Sequence, residues 1–179
     1  MTVGTRSLLK WAGAAALVVL VGGVGYIVQG LRTADILMLQ ACSEVERAPI
    51  AWTCRQGLYR FHPTREEVAH LNTVAGALFT VDQTTEENGR RLLKHFIDAG
   101  VDVNAADQRV PAKWTALHVM ASEPNPLAVR LLLEHGARPD VKDAQGRTPA
   151  DLARARQAKS QNAAYAEVID MLDAKAGSR

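Results

Sequence analysis

The stretch Leu131–Ala153, LLLEHGARPDVKDAQGRTPADLA, decides how the chain is read. It sets His135 beside Gly136, with Asp140 and Asp143 soon after, between two apolar runs. Two readings compete. A histidine, a glycine and two carboxylates in one loop are the residue types of acid–base or phosphate chemistry. The same residues also fit the junction of a repeat, where each has a backbone task.

Sliding the C-terminal half against itself favours the second reading. RRLLKHFIDAGVDVNAAD (Arg90–Asp107) aligns with VRLLLEHGARPDVKD (Val129–Asp143), and Gly100 and Gly136 fall 36 residues apart. WTALHVMA (Trp114–Ala121) aligns with RTPADLAR (Arg147–Arg154), with Thr115 and Thr148 separated by 33 residues. Thr115 and Thr148 stand where a side-chain oxygen caps the orphan amides of a helix start. Pro149 occupies a first helical turn, where no amide hydrogen bond is lost. Gly100 and Gly136 end helices at a left-handed position, and Asp143 with Gly146 shapes the following turn. Leu92, Leu93, Phe96 and Ile97, with Leu131–Leu133, supply apolar stripes at helical spacing.

These units resemble ankyrin repeats: a T-P-L-H-like start, a helix, a second helix ending in L-L-x-x-G-A, then D-V-N-x-x-D. The resemblance covers roughly Thr64 to Lys175. It implies an all-α solenoid of about three helix-turn-helix repeats, over about 64–107, 108–143 and 144–179. It also implies that His118, matching the family histidine, fastens backbone groups between neighbouring repeats. In the first repeat, Thr64 and Glu67 form a capping-box pattern that opens a helix through EEVAHLNTVAGALF. DQTTEEN breaks that helix, and Gly89–Ala99 supplies its partner. In the last repeat Asp151 replaces the histidine, and the first helix is expected to run on through polar RARQAKSQNAAY before AEVIDML. A polar final unit suits a cap whose outer face meets water. Residues 32–63 are expected to cover the other open end.

The charge distribution isolates the N-terminus. Of the 21 lysines and arginines, Arg6, Lys10 and Arg32 fall in the first 32 residues, which hold no acid. The remaining 18 face all 19 acidic residues. A body so nearly neutral argues against a nucleic-acid partner, which calls for a basic patch. Between Lys10 and Arg32 the sequence WAGAAALVVLVGGVGYIVQGL carries no charge. A helix of that length is about long enough to cross a hydrocarbon core of roughly 30 Å. Trp11 and Tyr26 lie near its ends, where amphipathic rings favour the interface. Residues 1–10 are therefore expected on the cytoplasmic side, residues 11–31 as a transmembrane anchor, and the body in the periplasm. A cleaved secretory signal is the alternative, although no A-x-A site follows.

Cys42 and Cys54 are the only cysteines. In an exported domain such a pair argues for a disulfide, with two buried thiols or a metal pair as alternatives. IAWT, between them, reads as a turn with a short apolar face.

Catalytic signatures are wanting. The five histidines (His62, His70, His95, His118, His135) form no H-x-x-x-H or H-E-x-x-H pattern, and no Walker loop, G-x-G-x-x-G or G-x-S-x-G occurs. The expectation is a non-enzyme without cofactor or metal, whose work is to bind a protein partner. In ankyrin proteins the ligand usually lies on the finger tips and the first-helix face. The finger from Asp107 to Thr115 is three residues longer than the one from Asp143 to Thr148. The insertion puts Arg109, Pro111, Lys113 and Trp114 on the loop, with Lys113 standing where Gly146 stands in the next. Trp114 is either an exposed anchor of the hot-spot kind or a ring folded onto the neighbouring finger. Arg138, Lys142, Gln145 and Arg147 complete the candidate edge. Small bacterial ankyrin proteins of this layout resemble immunity proteins against secreted antibacterial toxins such as phospholipases. They also resemble accessory factors of envelope or oxidative-stress defence.

Overall fold

The computed structural model describes residues 3–45, 47–81, 85–160 and 162–177, with side chains from residue 17 onward except that of Val45. The side chains of Arg6, Lys10 and Trp11 lie outside the described ones. Two compact units separate, Met1–His62 and Pro63–Arg179.

Unit 1 holds three helices: α1 (Val3–Thr33), α2 (Ile36–Val45) and α3 (Ile50–Phe61). Nothing between residues 3 and 33 breaks a helix: there is no proline, and the glycines are diluted by Ala, Leu and Val. Leu17–Leu20, Val21, Val24, Tyr26 and Ile27 are all exposed. Among the described residues no single helix is long and apolar enough to cross a membrane. The pair Leu17–Thr33 and Ile36–Glu44, bent by 113° at its break, passes that test together. Asp35 sets the break by accepting the Leu37 amide at 2.8 Å and the Met38 amide at 3.3 Å.

α2 and α3 pack side by side, burying Ile36 and Leu39 against Ala51 and Leu58. A disulfide joins Cys42 to Cys54, with 6.0 Å between their Cα atoms. IAWT is the first turn of α3 and not a free turn; Ala51 is buried while Ile50 and Trp52 face out. α3 meets α1 at Gly57, where an added Cβ would sit 2.8 Å from Leu31 Cδ2. His62 Nε2 donates to the Leu31 carbonyl at 3.0 Å, and the Arg32 guanidinium covers the Phe61 ring at 5.1 Å.

Unit 2 opens with α4 (Arg65–Leu71). Its capping box is present: Thr64 N–H donates to Glu67 Oε2 at 2.6 Å and Glu67 N–H to Thr64 Oγ1 at 3.3 Å. The helix does not continue to Phe79, however. It stops at Leu71, Ala75 turns left-handed at φ 53°, and the Gly76 amide returns to the Leu71 carbonyl at 2.9 Å. Gly76 is needed there, since a Cβ would fall 2.5 Å from Leu71 Cβ. The short α5 (Leu78–Val81) follows, then α6 (Glu86–Asp98), capped by Thr85.

The next pairs are α7 (Ala116–Ser122) with α8 (Pro126–Glu134), and α9 (Pro149–Gln157) with α10 (Ala164–Gly177). First helices stack on first helices, α5 on α7 on α9, and second helices on second helices, α6 on α8 on α10. α9 runs on through Arg154–Gln157, the first part of the polar stretch expected to prolong it, and ends there; the residues from Ala158 connect it to α10, whose start Asn162 caps. The core runs through the stack from Leu93 through Leu117, Leu131 and Leu132 to Val168 and Leu172. Tyr165 anchors the last helix by donating to the Ser122 carbonyl at 3.0 Å. Arg90–Glu134 and Arg130–Glu167 pairs cross the outer layer, though exposed pairs of this kind contribute little.

Candidate partner-binding edge

The loops between helix pairs repeat one geometry. In the second finger the Asp107 amide bonds the Trp114 carbonyl at 2.8 Å, and in the third the Asp143 amide bonds the Arg147 carbonyl at 2.8 Å. Each aspartate then accepts the amide two residues on, Arg109 at 2.9 Å and Gln145 at 2.9 Å. Gln108 N–H reaches the Thr73 carbonyl and Ala144 N–H the Ala112 carbonyl, tying each finger to the one before. Gly100, Gly136 and Gly146 have φ of 109°, 92° and 78°, the region glycine enters at no steric cost. Lys113, at the position equivalent to Gly146, adopts φ 51° without that freedom.

A second fastening had its signal in the D-V-N motif but was not read from it. Asn104 donates to the Gly136 carbonyl at 3.3 Å and accepts the Arg138 amide at 2.8 Å. Asn72 makes the same pair one unit earlier, to the Gly100 carbonyl at 3.1 Å and from the Asp102 amide at 2.7 Å.

His118 is fully buried and works between repeats. Its Nδ1 accepts the Thr115 amide at 3.3 Å, while Nε2 lies 3.1 Å from the Arg147 carbonyl, which can only accept. These partners assign the neutral ring with its proton on Nε2. Burial holds its pKa below the ordinary value, against the opposing pull of the Arg147 carbonyl. In the next unit Asp151 takes over the capping half of the task. Its carboxylate accepts the Thr148 amide at 2.9 Å and hydroxyl at 2.8 Å, which lowers its pKa. Thr148 caps α9 with Pro149 in its first turn.

Trp114 is half-buried, and its indole Nε1 donates to Asp143 Oδ2 at 3.0 Å. The Asp143 carboxylate is itself buried and also accepts from Arg147 Nε at 2.9 Å and the Arg147 amide at 2.9 Å. Burial alone would raise its pKa. The hydrogen bonds from Arg147, Trp114 and Gln145 outweigh that and bring it down to about 2. His135 is partly buried and bonds the Leu131 carbonyl at 2.8 Å. The density of charge around residues 131–153 is thus largely consumed by the backbone.

What faces solvent is a cationic edge. Arg109 and Arg138 are exposed and pair with Asp107 and Asp140 on their own loops; Lys113, Lys142 and Gln145 are exposed beside them. Between the last finger and α9 lies a cleft of about 270 Å³ lined by Trp114, Arg147, Leu152, Ala155, Arg156 and Lys159. Its charged lining is cationic, and Trp114 forms part of the wall. Arg156 and Lys159 were not among the residues singled out from sequence; α9 carries Arg156 one turn past Leu152, and Lys159 lies in the turn after the helix, its amide bonded to the Arg156 carbonyl at 3.0 Å. Among the described residues no group of three or more His, Cys, Asp or Glu is placed to hold a metal ion.

Residues 83–170 match the family model of ankyrin repeats in three copies. The E3 ubiquitin-protein ligase hecd-1 of Caenorhabditis elegans is 37% identical over 71 residues, covering 40% of this chain and 2% of that protein. The chain therefore corresponds to a very small part of that relative. The paired helices, the left-handed glycines, the buried His118 and the family match agree, and an ankyrin stack is a protein–protein interaction module. Residues 83–170 belong to the ankyrin-repeat family.

Proposed function

We propose that the chain is a non-catalytic protein-binding module held at a bacterial inner membrane by α1, with residues 1–10 cytoplasmic and the repeats in the periplasm. The observation that carries the binding half is the cationic cleft beside Trp114, where Arg147, Arg156 and Lys159 converge with no acid in the lining. Such an edge fits a partner that presents acidic side chains, because complementary charge steers encounter and fixes register. The membrane half is supported by the exposed apolar run Leu17–Ile27. The Cys42–Cys54 bridge suits an oxidising compartment. Within this frame the partner we favour is a secreted antibacterial toxin such as a phospholipase, which the chain would neutralise as an immunity protein.

Copurification of the full chain from detergent-solubilised membranes tests the binding. One stoichiometric partner, released by the double charge reversal R156E/K159E, is the expected result. Retention of the partner by that variant would move the interface elsewhere, and recovery of the chain alone would count against the reading. Protease accessibility on intact spheroplasts tests the topology: repeats protected until lysis would invert it. Survival of cells challenged with a periplasm-delivered phospholipase, with and without the chain, tests the immunity role.

A further inference from the structure

α9 carries arginines on two faces, and only one of them is paired. Arg154 points toward α10, where Asp173 lies 2.6 Å from its Nη2, and Asp151 lies 3.7 Å from its Nη1. Arg156 comes two residues later, about 200° further round the helix, on the side of the last finger. Among the described residues no hydrogen bond or ion pair holds its guanidinium, nor the ammonium of Lys159.

Leu152, Ala155, Arg156 and Lys159 follow the spacing of a single helical face, three, four and seven residues on from the first. All four line the cleft of about 270 Å³, with Trp114 and Arg147 lining it from the finger loops. Arg147 is already committed: its Nε and Nη2 meet Asp143 at 2.9 Å and 2.8 Å, and Nη2 also donates to Gln145 Oε1 at 3.1 Å. The buried Asp143 carboxylate therefore balances the Arg147 charge. The positive charges of Arg156 and Lys159 have no such counterpart.

The cleft falls below the roughly 300–1,000 Å³ of small-molecule pockets, so it suits side chains of a partner and not a whole metabolite. Its unmatched charge calls for two negative groups. Residues three apart on a helix hold their Cβ atoms about 5–6 Å apart, and both cations end flexible stems. Two separate carboxylates match them better than one compact dianion. Trp114, Leu152 and Ala155 give the same cleft an apolar part. The methylene stem of a glutamate can lie on it while the carboxylate reaches a cation; a hydrated phosphate has nothing to place there.

We infer that the cleft receives two neighbouring glutamate side chains of the protein partner, their carboxylates on Arg156 and Lys159 and a methylene stem against Trp114 and Leu152. The inference rests on the cleft being the binding edge and adds which side chains the partner presents to it.

The probe is an acetylated, amidated hexaglutamate peptide, titrated into the full chain in a neutral detergent. Calorimetry reads the affinity. The W11F/W52F background, in which Trp114 is the one tryptophan left, reads the location through its emission. Saturable binding that weakens with salt and changes Trp114 emission is expected. R156E/K159E should lower the affinity about tenfold or more, whereas R91E/K94E, an equal change of charge on α6, should leave it within about twofold. Absence of binding, binding that leaves Trp114 emission unchanged, or an equal loss in both variants would overturn the inference. So would tighter binding of hexaglutamine or of inorganic pyrophosphate. The copurified partner separates this from the binding edge itself. A partner lost by R156E/K159E, with hexaglutamate unbound by the wild type, would strike the glutamate pair and leave the edge. A partner retained by that variant would strike both.

Discussion

The indole Nε1 of Trp114 donates to the Oδ2 of Asp143 at 3.0 Å, so the base of one finger is bolted to a buried carboxylate in the next. Four donors converge on that carboxylate: the indole, the Arg147 guanidinium and the amides of Gln145 and Arg147. Asp143→Ala would strand them and should cost on the order of 2–3 kcal/mol in denaturant unfolding. Trp114→Phe, which removes one donor, should cost about 1 kcal/mol. The sign of the pH effect follows from a folded pKa of about 2 against an ordinary 3.8. The unfolded chain takes the proton first as pH falls, so this stabilisation is complete above about pH 4 and is lost between 3.8 and 2. Wild-type melting curves should show that loss, and the D143A curve should lack it.

His118 titrates in a higher range. Its folded pKa lies below the ordinary 6.5 because burial disfavours the cation. Above 6.5 both states are neutral and nothing is gained or lost. As pH falls through 6.5 toward the lower folded value, the unfolded chain binds the proton first and stability declines. A melting temperature lower at about pH 5.5 than at about pH 7.5, with the difference reduced in H118Q, is the expected outcome. An equal drop in H118Q would assign the effect to another group.

Lys113 holds a left-handed backbone at φ 51° where the next finger has Gly146 at φ 78°. Relief of that strain in Lys113→Gly is opposed by the greater freedom of glycine in the unfolded chain. The balance should be a gain of about 0.5–1 kcal/mol, read as a raised melting temperature. If the same variant weakens partner capture while melting higher, the lysine side chain serves recognition at the expense of stability.

The Cys42–Cys54 bridge closes a loop with a sequence separation of 12. In the chain-entropy account a loop of that size is worth about 3 kcal/mol. C42S/C54S, or thiol reduction, should therefore loosen α2 and α3 and speed amide exchange in residues 36–61. Unchanged exchange would mean that packing of Ile36, Leu39 and Leu58 suffices without the bridge.

The repeat was legible because its rules are local. Thr115, Thr148, Pro149, Gly100, Gly136 and Gly146 each answer a requirement of one turn of backbone, and such requirements show in sequence. The helix drawn from Glu66 to Phe79 failed for a reason of another kind. Residues 65–71 and 78–81 are both helical, but the turn between them depends on Ala75 at positive φ and on Gly76 passing over Leu71. An alanine in that conformation carries no sequence signal. Trp114 posed the reverse difficulty: its composition fitted an anchor or a strut equally, and only the position of Asp143, 29 residues on, shows what the indole bonds. The cationic cleft was illegible for the same reason, since Trp114, Arg156 and Lys159 meet only after two helices have stacked.

The clasps at Asn72 and Asn104 are the same device used twice, each gripping one carbonyl and one amide in the loop after a second helix, α6 for Asn72 and α8 for Asn104. A junction that reappears unchanged makes the array a translation of itself. With a copy of residues 105–140 inserted after Asp140, that aspartate would stand at the new junction where Asn104 stands at the old one, and a carboxylate accepts an amide but cannot donate to a carbonyl. The binding edge could thus be lengthened by one finger through an in-frame duplication combined with Asp140→Asn, which restores the missing donor.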